Sequence, residues 1–200
     1  MPAHITFIRA NRKFFEHAET GNDIAVQYLD GSISQRVAGH QKYLALAQAL
    51  AEGGYQYDVL YVGDGTFNPR QLDHDRLARH KALLIPEASD MSDGEIDALA
   101  RYIRDAGGQV VIYSDAPAAA AAAVGRLEDE GPLLRFWTDY SDIDRQRILA
   151  TVGALNCARV TCSDPMINAI MRASGDEQIL HLVNYNYDPA NGRRAGRSRA

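Results

Sequence analysis

The sequence predicts an α/β protein: an open, mainly parallel sheet with helices on both faces, followed by a C-terminal antiparallel β-hairpin. Three observations carry this expectation. Residues 81–115 (KALLIPEASDMSDGEIDALARYIRDAGGQVVIYSD) place an amphipathic helix between two short apolar runs, the pattern of strands buried on both faces in a parallel sheet. Apolar runs and helical periods alternate in this way up to about residue 162, which argues for helices on both faces of one sheet. Beyond that point the pattern changes to two strand-like runs around a glycine-containing turn, the signature of a hairpin.

In chain order, residues 4–20 (HITFIRANRKFFEHAET) predict an N-terminal helix, and Asp23 to Leu29 the first strand, turned at Asp30-Gly31-Ser32. From about His40 to Glu52, Tyr43, Leu44, Ala47 and Leu50 mark a helical face that Gly53-Gly54 closes. Tyr57 to Val62 is the second strand, and Asp64-Gly65 opens a polar loop. Asn68-Pro69 reads as a cap with proline at the first helical position, giving a short charged helical turn over 69–80. Ala82 to Ile85 is the third strand. Ser92-Asp93-Gly94-Glu95 then forms a capping box, where serine and glutamate satisfy amide donors that a helix start leaves orphaned. Ile96, Leu99, Ala100 and Ile103 supply that helix's apolar face, and Gly107-Gly108 ends it. Val110 to Ile112 is the next strand. The alanine-rich stretch up to about Glu130 predicts a surface helix or a partly mobile segment. Residues 132–137 follow as a strand or extended linker, then a helix through Leu155 capped within Asp139–Asp142, then a short strand over Ala158–Cys162. Ile167–Arg172 and Ile179–Tyr185 form the hairpin across Ser174–Glu177; it opens an all-β domain or adds an edge to the main sheet.

Composition narrows the function. At 46% hydrophobic and 24% charged, the chain matches ordinary globular proteins. No apolar run reaches the length of a membrane span and no signal peptide is visible, so the expectation is a cytoplasmic protein without a membrane partner. The four arginines after Asp188 (Arg193, Arg194, Arg197 and Arg199), with no acid among them, leave residues 1–188 at −9 against −5 for the whole chain. An acidic body excludes broad nucleic-acid binding. Cys157 and Cys162, five residues apart, fall on opposite faces of a strand and predict free thiols rather than a disulfide.

Motifs for chemistry are sparse. There is no GxxxxGK[ST] and no GxGxxG; Gly63-Asp64-Gly65 follows a strand but reads as a turn. In an open α/β sheet the place for a ligand is the crevice at the carboxyl ends of the strands. Those ends offer Asp64, Pro86-Glu87 and Tyr113-Ser114-Asp115. Ser114, Asp115 and Glu87 are the catalytic candidates, and Asp64 and Tyr113 the ligand-binding candidates. Ser114 lacks the small flanking residues of a GxSxG elbow, and Asp115 reads first as a helix cap. His74 and His80 stand beside Asp73 and Asp75, but a six-residue spacing does not align ligands on one helical face, and no metal or other cofactor is expected. His181, between Ile179 and Val183, reads as a packed strand histidine. Trp137 and the tyrosines at 43, 55, 57, 61 and 113 leave a sugar-binding surface open as a third possibility.

The pieces DIAVQYLDGS, HQKYLALAQALAEGGYQYDVLYV and HKALLIPEASDMSDGEIDALARYIRDAGGQVVIYSD resemble the glutamine-amidotransferase-like, flavodoxin-like domain that accompanies the barrel of family 42 β-galactosidases and related glycoside hydrolases. ILHLVNYNYD is similar to the opening of the β-sandwich that follows in such enzymes, and Ile5 to His17 to the exit from the barrel. The resemblance implies a trimerisation or accessory module whose catalytic carboxylates lie on another domain. It also implies a cysteine nucleophile in true amidotransferases at the place where this chain has Ser114 and Asp115, so that active site is not carried over. The expected organisation is 1–20 N-terminal helix, 21–163 α/β domain, 164–188 hairpin and 189–200 disordered basic tail. The expected function is a non-catalytic oligomerisation module of a carbohydrate-active enzyme, in contact with like copies or the parent's other domains, with carbohydrate a possible partner. The alternatives are a small hydrolase using Ser114 or Asp115, and a sugar-binding module.

Overall fold

Alternate residues of each central strand belong to different cores, which is how the chain buries a sheet on both sides. The computed structural model describes residues 6, 9–12, 21–30, 37–69, 71–88, 91–114, 117–130, 133–137, 145–163, 167–174 and 176–184. The chain divides into two compact units, Asn22–Ala158 and a second made of 1–21 with 159–200.

The larger unit holds β1 (Ile24–Leu29), α1 (Val37–Glu52), β2 (Tyr57–Val62), α2 (His74–Leu77), β3 (Ala82–Ile85), α3 (Asp93–Ala106), β4 (Gln109–Ser114), α4 (Pro117–Glu128), β5 (Leu133–Trp137) and α5 (Arg145–Ala154). Its five strands pair in parallel in the order β2-β1-β3-β4-β5. That is the flavodoxin-like order, in which the chain winds one way from β1 and then the other, leaving a switch point between β1 and β3.

On one face, Ala25, Leu29, Leu83, Ile85, Val110 and Ile112 pack under α2, α3 and α4 through Leu77, Leu99, Ile103 and Leu127. On the other face, Ile24, Val26, Ala82, Leu84, Val111 and Tyr113 pack under α1 and α5 through Leu46, Leu50, Ile148 and Val152. Burying one such aliphatic side chain contributes about 1.5–3 kcal/mol, and β3 buries all four of its residues. The alanine-rich α4 is anchored through buried Val124 and Leu127.

Local signals set the element ends. Ser92 Oγ accepts from Glu95 N at 3.3 Å and Glu95 Oε2 accepts from Ser92 N at 2.7 Å, completing the capping box. Gly107 closes α3 with φ +65°, a left-handed conformation that glycine adopts at little cost. Gly108 then passes beside the fully buried Tyr102 ring, whose hydroxyl donates to His80 O at 2.8 Å.

Four expectations are corrected. The cap before α2 is Asp73, which accepts from Asp75 N, so the helix is only His74–Leu77 and Pro69 lies outside it. Of the expected face of α1, Leu50 is buried and Tyr43 packs against the core, but Leu44 is exposed and the inner stripe runs instead through Lys42, Leu46, Ala49 and Leu50; a lysine on that face disguised the period. Ala158–Cys162 does not form a continuous strand: only Arg159 makes an isolated β-bridge, and Ala158 N donates to the Asp23 side chain at 2.7 Å. The hairpin, in the smaller unit, pairs β6 (Ile167–Ser174) with β7 (Glu177–Asn184) from Ile167↔Asn184 to Ser174↔Glu177, so its loop has two residues rather than four. Nearly all of the predicted N-terminal helix and the whole of the arginine tail lie outside the described residues.

A Cβ on Gly108 would fall 2.0–2.3 Å from three Tyr102 ring atoms. Gly108→Ala is therefore expected to cost at least about 1–3 kcal/mol, the range for overpacking a filled core. Urea denaturation compared with the parent chain measures it.

Candidate functional site

At the carboxyl ends of β1 and β3, several of the protein's own polar side chains meet one another. Lys42 comes from α1 and Glu87 from the segment after β3, and Nζ and Oε2 meet at 2.5 Å with side chains only 5% and 7% exposed. Opposite, Gln27 on β1 donates from Nε2 to Glu95 Oε1 at 3.3 Å. Ser92 Oγ donates to Glu95 Oε2 at 2.6 Å. The capping glutamate of α3 thus serves its own helix and the sheet at once. Gln27 Oε1 is buried without a hydrogen-bond partner.

A buried ion pair is costly to desolvate and holds only when its geometry offsets that cost. Here it ties the first helix of one winding to the first strand end of the other.

The remaining candidates are dispersed. Tyr113 points away from the crevice into the core under α5; burial raises its pKa, an effect partly offset by Thr151 and Arg147 of that helix. Ser114 is the last residue of β4, level with Trp137 of β5. The Ser114 side chain and the whole of Asp115 lie outside the described residues. Asp64 heads the loop after β2, and its Oδ1 accepts from the amides of Thr66, Phe67 and Asn68 at 2.9, 2.9 and 3.2 Å. Those amides hold its carboxyl below the usual range. A run of backbone amides converging on one point is an anion-binding arrangement, and here the chain's own carboxylate occupies it.

The tyrosines divide. Tyr55 and Tyr113 are core residues. Tyr28 stacks on Tyr61 at 6.0 Å and meets Tyr43 edge-on at 5.0 Å. Tyr61 donates to Asp30 Oδ2 at 2.6 Å and accepts from Asn68 Nδ2 at 3.2 Å. The hydrogen bond to Asp30 is the largest cause of its raised pKa. Val59 and Tyr61 stand level with Val26 and Tyr28 and face the same side, yet they are 41% and 43% exposed. Phe67 in the adjoining loop is 89% exposed. Strand β2 is a sheet edge, and this rim of its face is uncovered.

His74 and His80 are not brought together: His74 opens α2, whereas His80 is buried against Asn22 and Asp58. Among the described residues no three His, Cys, Asp or Glu side chains converge as a metal site. Cys157 and Cys162 are free, and burial pushes the Cys157 thiol up to about 11, leaving it a packing group. Sequence reasoning missed Lys42, Gln27 and Asn22. The available signal was Lys42 itself, four residues before Leu46 and seven before Ala49 on a stripe that is otherwise apolar.

The fold defines an open, doubly wound α/β protein with an internal ion pair at its switch point. Comparison with protein-family models and with curated proteins finds no match to this chain.

Two outcomes follow. Lys42→Met leaves Glu87 buried without its cation and is expected to cost about 3–5 kcal/mol, whereas Lys42→Met with Glu87→Leu is expected to recover most of that loss; urea denaturation of both variants checks it. The Asp64 loop is stabilised by a depressed carboxyl, so that stability is present above the carboxyl's ordinary pKa of 3.8 and is lost as pH falls through the lower folded value. Heteronuclear NOEs at Thr66–Asn68 should stay high at pH 4 and drop only under stronger acid.

Proposed function

We propose that the chain is a non-catalytic association module, and, from the resemblance in its sequence, one belonging to a glycoside-hydrolase-like protein. The observation that carries the proposal is the uncovered apolar face of the edge strand, where Val59, Tyr61 and the adjoining Phe67 present side chains that the fold itself leaves half or fully exposed. Aromatic residues of this kind anchor protein interfaces, joining a large apolar area to a polar tip. The Lys42–Glu87 pair supports the same reading: at the carboxyl end of the sheet these two buried charges are bound to each other. The module would act by pairing copies or by seating another domain of its parent, with no cofactor of its own.

A sugar-binding reading is favoured by one observation, the Tyr28–Tyr61 stack with Asp30 and Asn68 on the Tyr61 hydroxyl. An exposed ring beside hydrogen-bonding groups suits a pyranose face. It is the second reading because Asp30 and Asn68 are already engaged with that hydroxyl.

Light scattering on a concentration series is expected to give a mass above the 22.0 kDa of one chain. Val59→Lys, at an exposed position, should return the mass to that of one chain without moving the urea midpoint. A single-chain mass at every concentration would overturn association, and turnover of aryl glycosides by this chain alone would overturn the non-catalytic reading. Saturable tyrosine-fluorescence changes with millimolar galactose, abolished by Tyr61→Ala, would favour the second reading.

A further inference from the structure

At the opposite end of the sheet from the crevice, a pocket of ≈ 280 Å³ opens between β2 and α2, lined by Asp58, Val59, Leu60, Arg76, Arg79 and His80. We propose that it is a binding site for a small phosphate-bearing molecule. The first ground is charge. The chain is acidic overall, at −5, yet this pocket gathers two arginines and a histidine around one carboxylate.

The second ground is what those groups are engaged in. Asp58 is committed: its Oδ1 accepts from Asn22 Nδ2 at 2.7 Å, and its Oδ2 lies 3.8 Å from His80 Nε2. His80 is buried, and its Nδ1 lies 2.9 Å from the Asn22 carbonyl oxygen, so Nδ1 carries the hydrogen of that bond. The ring is held further by its own backbone, since Tyr102 Oη donates to His80 O. The wall of the pocket is thus a fixed Asn22–Asp58–His80 network. The two guanidinium groups are not so committed. Among the described residues, neither Arg76 nor Arg79 has a side-chain hydrogen bond or an ion pair, whereas Arg104 is paired with Asp105 and Glu130, and Arg126 with Asp93 and Asp97.

Two guanidinium forks, three residues apart on one helical turn and its exit, can present planar sets of N–H donors to one anion. Two guanidinium groups supply enough N–H donors to engage several oxygens of one phosphate at once. The volume leaves room beside the phosphate for a small body, and lies just below the range of drug-sized ligand sites. The chemistry recognised is therefore a phosphate group, free or as the monoester of a small polyol.

Amide NMR of the full chain, titrated at constant ionic strength with inorganic phosphate and separately with glycerol phosphate, tests this. The expected result is saturable shifts at Asp58–Leu60 and Arg76–His80 in the millimolar range or tighter. Arg76→Gln and Arg79→Gln, both at exposed positions, should each weaken binding by tenfold or more with the urea midpoint unchanged. Tighter binding of glycerol phosphate would assign the site to monoesters, and equal affinity would assign it to free phosphate. Shifts that stay linear, that map elsewhere, or that persist unchanged in the Arg76→Gln/Arg79→Gln double variant would overturn the proposal.

Discussion

The joint between β1 and β3 is the constraint on which the rest of the unit depends. These strands come together only after the chain has wound through α1, β2 and α2, and their ladder is short, running from Ile24↔Ala82 to Val26↔Leu84. It is reinforced at its entry. Asp23 O accepts from the amides of both Lys81 and Ala82, and Lys81 Nζ donates to Asp23 Oδ2 at 3.1 Å. Asn22 O meets His80 Nδ1, and Lys81 O accepts from Gln109 N, carrying the same joint on to β4. At the far end Lys42 and Glu87 clamp the opening. A three-pair ladder held at both ends by polar contacts lets β3 remain a four-residue strand with no polar side chain of its own.

This arrangement explains why the two ends of the sheet differ in character. The carboxyl end is where strand directions diverge and a crevice is obligatory, and here Lys42 pairs with Glu87 and Gln27 with Glu95. At the amino end the same kind of network, Asn22–Asp58–His80, forms only one wall and leaves two arginines facing water. The β2 rim adds a third surface, apolar rather than charged, at Val59, Tyr61 and Phe67.

What the sequence disclosed was what neighbouring residues decide together. The capping box at Ser92–Glu95, the stop at Gly107 and the runs Tyr57–Val62 and Ala82–Ile85 were all legible, because each depends on a few adjacent side chains and a period. The candidate site was much less legible. Lys42 and Glu87 are separated by 45 positions and Gln27 and Glu95 by 68, and no local pattern reports such meetings. Some local signals competed: Asn68-Pro69 had the form of a helix start, but Asn68 is drawn to the Tyr61 hydroxyl and the cap falls to Asp73. Ala158–Cys162 had a strand's residue types, but its pairing stops at a single bridge at Arg159.

The carboxylate of Asp23 carries a consequence for the order in which the protein assembles. It binds Lys81 and also the amide of Ala158, 135 residues further along. Loop closure over so long a span is an entropic cost met late in folding, after nearer contacts have formed. On a ribosome, the first strand emerges long before the residue that completes its N-terminal anchor. Until Ala158 has been synthesised, Asp23 holds only its lysine, and the unit can be nearly folded yet remain unlatched.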